Sequence, residues 1–263
     1  MSGSEAPPLL RCKGVTATFG SLVAVDHMDL TASEGETIGI GGPNGAGKTT
    51  FLDLVSGLLP LADGEIVFDG ETVGGRPPHR ICHMGIARTF QLNAGFEALT
   101  VLENVLAATV FGARTNTSRG LFYSRPDLER AEALLEEFDL ADKAGALVAN
   151  VTVLDRKKLM VATALATEPR LLLLDEPVGG LTPHEIDAFV DLIATLKGRG
   201  LTIIFIEHVM RFLTAVATRA VIMHHGATIY DGDPQGIAHD GAVTEIYLGR
   251  SAEGMREAAA RPS

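Results

Sequence analysis

One stretch of this chain limits its fold more than any other. Gly42-Pro43-Asn44-Gly45-Ala46-Gly47-Lys48-Thr49 fits the pattern G-x-x-x-x-G-K-[ST], with Gly42, Gly47, Lys48 and Thr49 at the defining places. An apolar segment, residues 37–40, runs in, and a helix-forming segment, residues 50–58, runs out. Strand, glycine-rich loop and helix in that order make an anion cradle. The glycines leave backbone N–H groups free to converge on phosphate oxygens, and the helix N-terminus points at the same charge. Lys48 adds a point charge at the outer phosphates of a nucleotide, and the Thr49 hydroxyl is a Mg²⁺ ligand candidate. Asn44, Gly45 and Thr50 complete the candidate contacts.

Composition removes several alternatives. The net charge of −11 argues against binding nucleic acid through broad phosphate neutralisation. Two cysteines, Cys12 and Cys82, are too few for a disulfide framework or a metal cluster. No uninterrupted apolar run approaches the ~18–20 residues that cross a bilayer. Residues 1–8 have neither the basic nor the apolar segment of a secretory signal. The expectation is a cytoplasmic protein, held at a membrane only through a partner.

Residues 9–18, 22–30 and 64–69 read as strands, the second with partial alternation at Leu22, Ala24, Asp26, Met28 and Leu30. Further strand-like runs at 171–174, 201–206 and 220–223 alternate with helical segments such as 183–196. That pattern predicts an α/β fold with a mainly parallel sheet and helices on its faces. Residues 99–149 differ: helical periodicity at 101–108 and 128–138 flanks a polar stretch, 113–124, and suggests a helical insertion. The small, polar tail, 251–263, is expected to fray.

The run Leu171-Leu172-Leu173-Leu174 ends in Asp175-Glu176-Pro177. Ligands of open α/β sheets sit at the carboxyl ends of strands. Two adjacent carboxylates there divide the work: Asp175 holds a metal shell, and Glu176 orients or deprotonates an attacking water.

With both motifs in view, the chain resembles the ATP-binding subunits of ABC transporters from residue 9 to residue 249. The resemblance implies a P-loop core with a mainly parallel sheet, an antiparallel β subdomain and a helical subdomain. It implies one ATPase domain over 1–263, with the core at 9–90 and 155–250, the helical part at 91–154, and ATP and Mg²⁺ as cofactors. Ala87-Arg88-Thr89-Phe90-Gln91 looks like the family's Q-loop, so Gln91 would meet Mg²⁺ and the hydrolytic water. Ile206-Glu207-His208 looks like the switch segment, with His208 near the γ-phosphate. Phe19 sits where the family stacks an aromatic ring on adenine.

Three segments depart from the family pattern. Where the signature Leu-Ser-Gly-Gly-Gln is expected, the chain reads Val151-Thr152-Val153-Leu154-Asp155. Thr152 retains the hydroxyl that would serve the partner subunit's γ-phosphate. Val153 and Leu154 replace glycines, and Asp155 adds a negative charge that Arg156, Lys157 and Lys158 would offset in part. The expectation is weak hydrolysis at the site this signature completes. Thr182 stands where the D-loop usually has Asp, and Val209 follows His208 in place of the frequent Asp.

Phe19-Gly20, Ala87–Gln91, Leu102-Glu103-Asn104-Val105 and Ile246-Tyr247-Leu248-Gly249 resemble the branch that serves branched-chain amino acid importers. The Tyr-Leu-Gly ending is shared with the ATPase of lipopolysaccharide export, which stands as the alternative beside a nucleotide clamp with little turnover. A soluble ABC ATPase of DNA repair or translation and a small-molecule kinase fit less of the sequence. The resemblance implies a second ABC ATPase subunit, two polytopic permeases and, indirectly, a periplasmic solute-binding protein. It implies residence on the cytoplasmic face of the inner membrane and no contact with nucleic acid. Gly95, Phe96 and Glu97 lie where the family docks a coupling helix of the permease.

Overall fold

The computed structural model describes residues 7–90, 96–112 and 123–246. Gln91, Gly95, most of the polar stretch at 113–124, Tyr247-Leu248-Gly249 and the tail at 251–263 therefore lie outside the described residues.

Two sheets share the β structure. Strands β1 (Leu10–Phe19), β2 (Leu22–Ala32), β4 (Asp63–Phe68) and β5 (Glu71–Thr72) form an antiparallel sheet in the order β2-β1-β4-β5. The larger sheet has the order β10-β9-β3-β8-β7-β6, from β3 (Thr37–Gly41), β6 (Ile86–Arg88), β7 (Leu171–Asp175), β8 (Thr202–Ile206), β9 (Arg219–His224) and β10 (Ala227–Gly232). Within it β9, β3, β8, β7 and β6 run parallel, and β10 turns back antiparallel on β9.

The continuous apolar runs follow from burial on both faces, because successive side chains of a strand point to opposite sides. Leu171, Leu173, Ile204, Ile206, Val221 and Met223 face the smaller sheet and helix α1 (Lys48–Val55). Their neighbours Leu172, Leu174, Ile203, Phe205, Ala220 and Ile222 face the opposite core. That core is closed by α3 (Val101–Gly112), α4 (Arg125–Glu137), α5 (Val153–Leu165), α6 (Pro183–Gly198) and α7 (Met210–Val216). Helix α2 (Pro78–Met84) inserts Ile81 into the first core.

The alternation expected in β2 is broken. Leu22 is 63% exposed, and the buried set is Val25, Met28, Leu30 and Ala32. His27 takes a left-handed backbone, φ 45°, and the pairing register shifts on the facing strand between Val15 and Ala17. One extra residue there moves the buried face from odd to even positions. Helix α1 begins at Lys48, inside the loop motif, and ends at Val55. Paired backbone bonds from Gly57 N–H to Leu54 and from Leu58 N–H to Asp53 close its C-terminus. Strand β10 escapes sequence reading because it is a half-exposed edge joined by a tight His225-Gly226 turn with both residues at positive φ.

Candidate nucleotide site

Strands β3, β8 and β7 are adjacent and parallel, so their carboxyl ends open on one edge of the sheet. From β3 comes the loop 42–47, from β7 comes Asp175-Glu176, and from β8 comes Glu207-His208. Gly42, Asn44, Gly45, Gly47, Lys48, Thr49, Thr50, Glu176 and His208 line one cleft of about 520 Å³, with Ile246 at its margin.

The loop is held tightly from outside. A Cβ on Gly42 would lie 2.2 Å from the Met223 carbonyl, and one on Gly47 would lie 2.1 Å from the Ala24 carbonyl. Both residues also have positive φ, so any side chain would displace backbone of β9 or β2. Inside the loop the buried Lys48 ammonium donates to the carbonyls of Gly42 at 2.8 Å and Pro43 at 2.9 Å.

Thr49 Oγ1 and Asp175 Oδ1 are 3.5 Å apart. A hydroxyl and a carboxylate facing each other are hard oxygen donors of the kind Mg²⁺ takes. Burial pushes the Asp175 carboxyl up, and the hydrogen bond and charge of Arg88 offset this only in part. Arg88 also belongs to this site, although no sequence motif gives it a role there. Its Nη2 donates to Asp175 Oδ2 at 3.0 Å, and its Nη1 donates to Asp53 at 2.6 Å.

Glu176 has a left-handed backbone, φ 47°, and its N–H donates to Ile206 O at 3.1 Å. Lys157, reaching over from α5, donates to its carbonyl at 2.8 Å. His208 Nδ1 stands 4.0 Å from Glu176 Oε1 and 3.9 Å from Glu207 Oε2. Glu207 is fully buried and accepts backbone N–H bonds from Val178, His208 and Val209 at 3.0, 3.1 and 3.2 Å. Burial raises its carboxyl and these donors offset the rise in part. It thereby pins the turn after β7 to the turn after β8, a role that an isolated Glu before a His does not announce.

Two candidates stand away from this cleft. Phe19 is 51% exposed at the β1–β2 hairpin and does not border it. Thr152 is the N-cap of α5: its Oγ1 donates to Asp155 Oδ2 at 2.8 Å and accepts the Asp155 N–H at 3.1 Å. Asp155 therefore does not stand as a loose charge. Its side chain is 7% exposed and paired with Lys143 Nζ at 2.8 Å. The three cations expected to offset it point elsewhere: Arg156 to Ala149 O and Glu97, Lys157 to Glu176 O, and Lys158 to Asp139. Lys143, twelve residues upstream, does that work. Sequence spacing hid it because it follows α4 and reaches α5 only in the folded chain.

Burial alone would raise the Asp155 carboxyl, but hydrogen bonds from Lys143 and Thr152 outweigh it and leave it below the usual carboxylate range. A depressed folded pKa stabilises the protein above the unfolded value and loses that stabilisation as pH falls through the folded one. Asp155→Ala is expected to cost about 1–3 kcal/mol near neutral pH, from the lost cap and ion pair. Urea titrations at several pH values check it: the gap to wild type should narrow as the solution is acidified below the ordinary carboxylate range.

The "ABC transporter" family model matches residues 25–179, which include the phosphate loop and the Asp175-Glu176 pair. The chain belongs to the ABC transporter family. It is one of the family's ATP-binding cassettes. It is 35% identical over 252 residues to BraF of Pseudomonas aeruginosa, a high-affinity branched-chain amino acid transport ATP-binding protein, covering 93% of this chain and 99% of BraF. It is 33% identical over 241 residues to LptB of Haemophilus influenzae, the ATP-binding protein of a lipopolysaccharide export system, covering 92% and 97%. The crystal structure of the ADP conformation of MJ1267, an ATP-binding cassette of an ABC transporter, superposes with a TM-score of 0.84 at 26% identity, covering 92% of this chain and 99% of that one. The cassette therefore has the α/β fold that the sequence predicts, with both a parallel and an antiparallel sheet.

Proposed function

We propose that this cassette energises an importer of branched-chain amino acids, or of a related small polar solute, by binding and hydrolysing ATP with Mg²⁺. The observation that carries the catalytic part is the facing pair Thr49–Asp175 beside Glu176 and His208, all at the mouth of one glycine-rich loop. The importer branch rests on the likeness to BraF, which exceeds that to LptB.

In this reading Lys48 and the loop amides hold the phosphates, with Gly42, Asn44, Gly45, Gly47 and Thr50 forming the cradle. Thr49 and Asp175 would hold Mg²⁺, with Gln91 joining them from outside the described residues. When bound, the metal neutralises charge on the outer phosphates. Glu176 accepts a proton from the attacking water, and His208 donates a hydrogen bond toward the γ-phosphate. Phe19 stacks on adenine beyond the cleft, and Thr152 faces the nucleotide of a second cassette. Closure of two cassettes on ATP shifts an open–closed equilibrium, because ATP binds the closed pair more tightly.

The partners in this reading are a second ATPase subunit, two permeases and a periplasmic solute-binding protein, with the cassette on the cytoplasmic face of the membrane. No helix among the described residues is long and apolar enough to cross a bilayer. The division into a core at 9–90 and 155–250 and a helical part at 91–154 draws support from the packing of α3 against α4. A second cleft, about 550 Å³ and largely apolar, lies between Pro78 of α2, Ala108 of α3 and Met160 of α5. It suits a permease helix. Phe96, 66% exposed near the groove, has its backbone N–H and carbonyl both bonded to Asn104, at 2.7 and 3.2 Å.

Phe96→Asp is accordingly expected to leave ATP binding by the isolated cassette intact and weaken permease docking by about 2 kcal/mol or more, the loss typical of an aromatic hot spot. ATPase stimulation measured in the assembled transporter checks this, and undiminished stimulation rejects the groove. The reading as a whole is tested by titrating the purified protein with ATP in the presence and absence of Mg²⁺ and following its melting temperature. Uptake of leucine into vesicles that carry the complete transporter then separates import from the export alternative.

Reduced turnover has one observation in its favour. Val153 is 52% exposed at the N-terminus of α5, where a glycine would let helix amides approach a phosphate. Single-turnover hydrolysis by the assembled complex distinguishes a slow enzyme from a clamp.

A further inference from the structure

We propose that Arg88 is a positioning residue for the magnesium ligand Asp175, setting which carboxylate oxygen the metal meets; this rests on the nucleotide-site reading above. Arg88 closes β6, the edge strand beside β7, and its side chain is 5% exposed. Its guanidinium spans two elements. Nη1 donates to Asp53 Oδ1 at 2.6 Å, on α1, and to Ser56 Oγ at 3.0 Å, at the C-cap of α1. Nη2 donates to Asp175 Oδ2 at 3.0 Å, at the end of β7.

Those two elements carry two of the proposed protein ligands, Thr49 on α1 and Asp175 on β7. With Oδ2 occupied by Arg88, the other oxygen of Asp175 is turned to Thr49 Oγ1 at 3.5 Å. The arginine thus fixes both the rotation of the carboxylate and the spacing between α1 and β7. A guanidinium holds its donors in a rigid planar fork, whereas an ammonium is a point charge with rotatable donors, so the two are not equivalent here.

A purely structural clamp is the competing account, and the geometry counts against it. Among the described residues, Arg88 Nε is buried without a hydrogen-bond partner. Buried ion networks that are incompletely satisfied contribute little net stability compared with apolar packing. The guanidinium also lies 5.2 Å from the Phe90 ring centroid, which ties the metal ligand to the residue after next in the segment leading out of β6.

The test compares wild type with Arg88→Met, Arg88→Lys and Asp53→Asn. ATP affinity is measured in EDTA, and Mn²⁺ affinity of the ATP complex is measured by electron paramagnetic resonance. Arg88→Met is expected to keep its metal-free ATP affinity and to lose about 10–100-fold in Mn²⁺ affinity, as removal of groups that orient metal ligands does. Arg88→Lys should fall between it and wild type, with an altered Mn²⁺ spectrum. Asp53→Asn, which loosens only the α1 end, should lose less than Arg88→Met. Wild-type Mn²⁺ affinity and spectrum in folded Arg88→Met or Arg88→Lys overturn the proposal. Should Arg88→Met not fold, Arg88→Lys decides alone. Failure of the wild-type protein to bind ATP with or without metal overturns the nucleotide-site reading instead.

Discussion

Glu176→Gln is expected to leave ATP and metal binding in place and to lower steady-state hydrolysis by about 10²–10⁴-fold, the usual contribution of a positioned general base. The substitution is nearly isosteric, so the cleft should keep its shape. The backbone of Glu176 is held independently of its side chain, by the Ile206 carbonyl on one side and the Lys157 ammonium on the other. What changes is proton acceptance alone. Because Glu207 secures the neighbouring turn through three backbone N–H bonds, His208 should stay where it is. Phosphate release by the assembled transporter is the measurement, with ATP affinity determined alongside. Turnover close to wild type would remove Glu176 from the chemistry and leave the cleft as a binding site only.

The parts of the cassette that sequence reveals are those where one local interaction decides. The phosphate loop is legible because two glycines are forced by backbone contacts of about 2 Å and the lysine lies within the same turn. The strand ending in Asp175 is legible because both of its faces are buried, which leaves an unbroken apolar run. Residues whose meaning depends on distant chain are not. Lys143 meets Asp155 across the end of α4, and Arg88 meets Asp53 thirty-five positions away. Neither pair has a spacing that any single element would produce.

The altered signature shows the same limit at the level of chemistry. Read as a string, Thr152 to Asp155 replaces a small, neutral helix start with bulk and charge. In the fold, Thr152 and Asp155 form a reciprocal cap, and the carboxylate is neutralised by Lys143. The remaining obstacle at the start of α5 is steric and centres on Val153. Exchanging Asp155 for the family's glutamine would therefore remove the charge that Lys143 pairs with while aiming to improve catalysis. Val153→Gly isolates the steric effect with the cap left intact.

Lys48→Ala is expected to weaken ATP binding by about 2–5 kcal/mol, the range found when one partner of a buried charge pair is truncated, or roughly thirty- to several-thousand-fold in Kd. Lys48 is 6% exposed and its ammonium is already oriented by the Gly42 and Pro43 carbonyls, so little conformational entropy is left to lose on binding. The same geometry predicts a second effect. Without the ammonium the two carbonyls lose a shared donor inside the loop, and the loop amides then have less reason to keep their convergent arrangement. Lys48→Met separates the two causes, since it fills the volume of the stem without the charge or the donors. Calorimetric titration with ATP at fixed salt, together with thermal melting of each variant, checks the outcome. If both variants bind ATP as wild type does, the phosphates do not lie in this loop, and the catalytic assignments of Thr49, Asp175, Glu176 and His208 lose their common reference point.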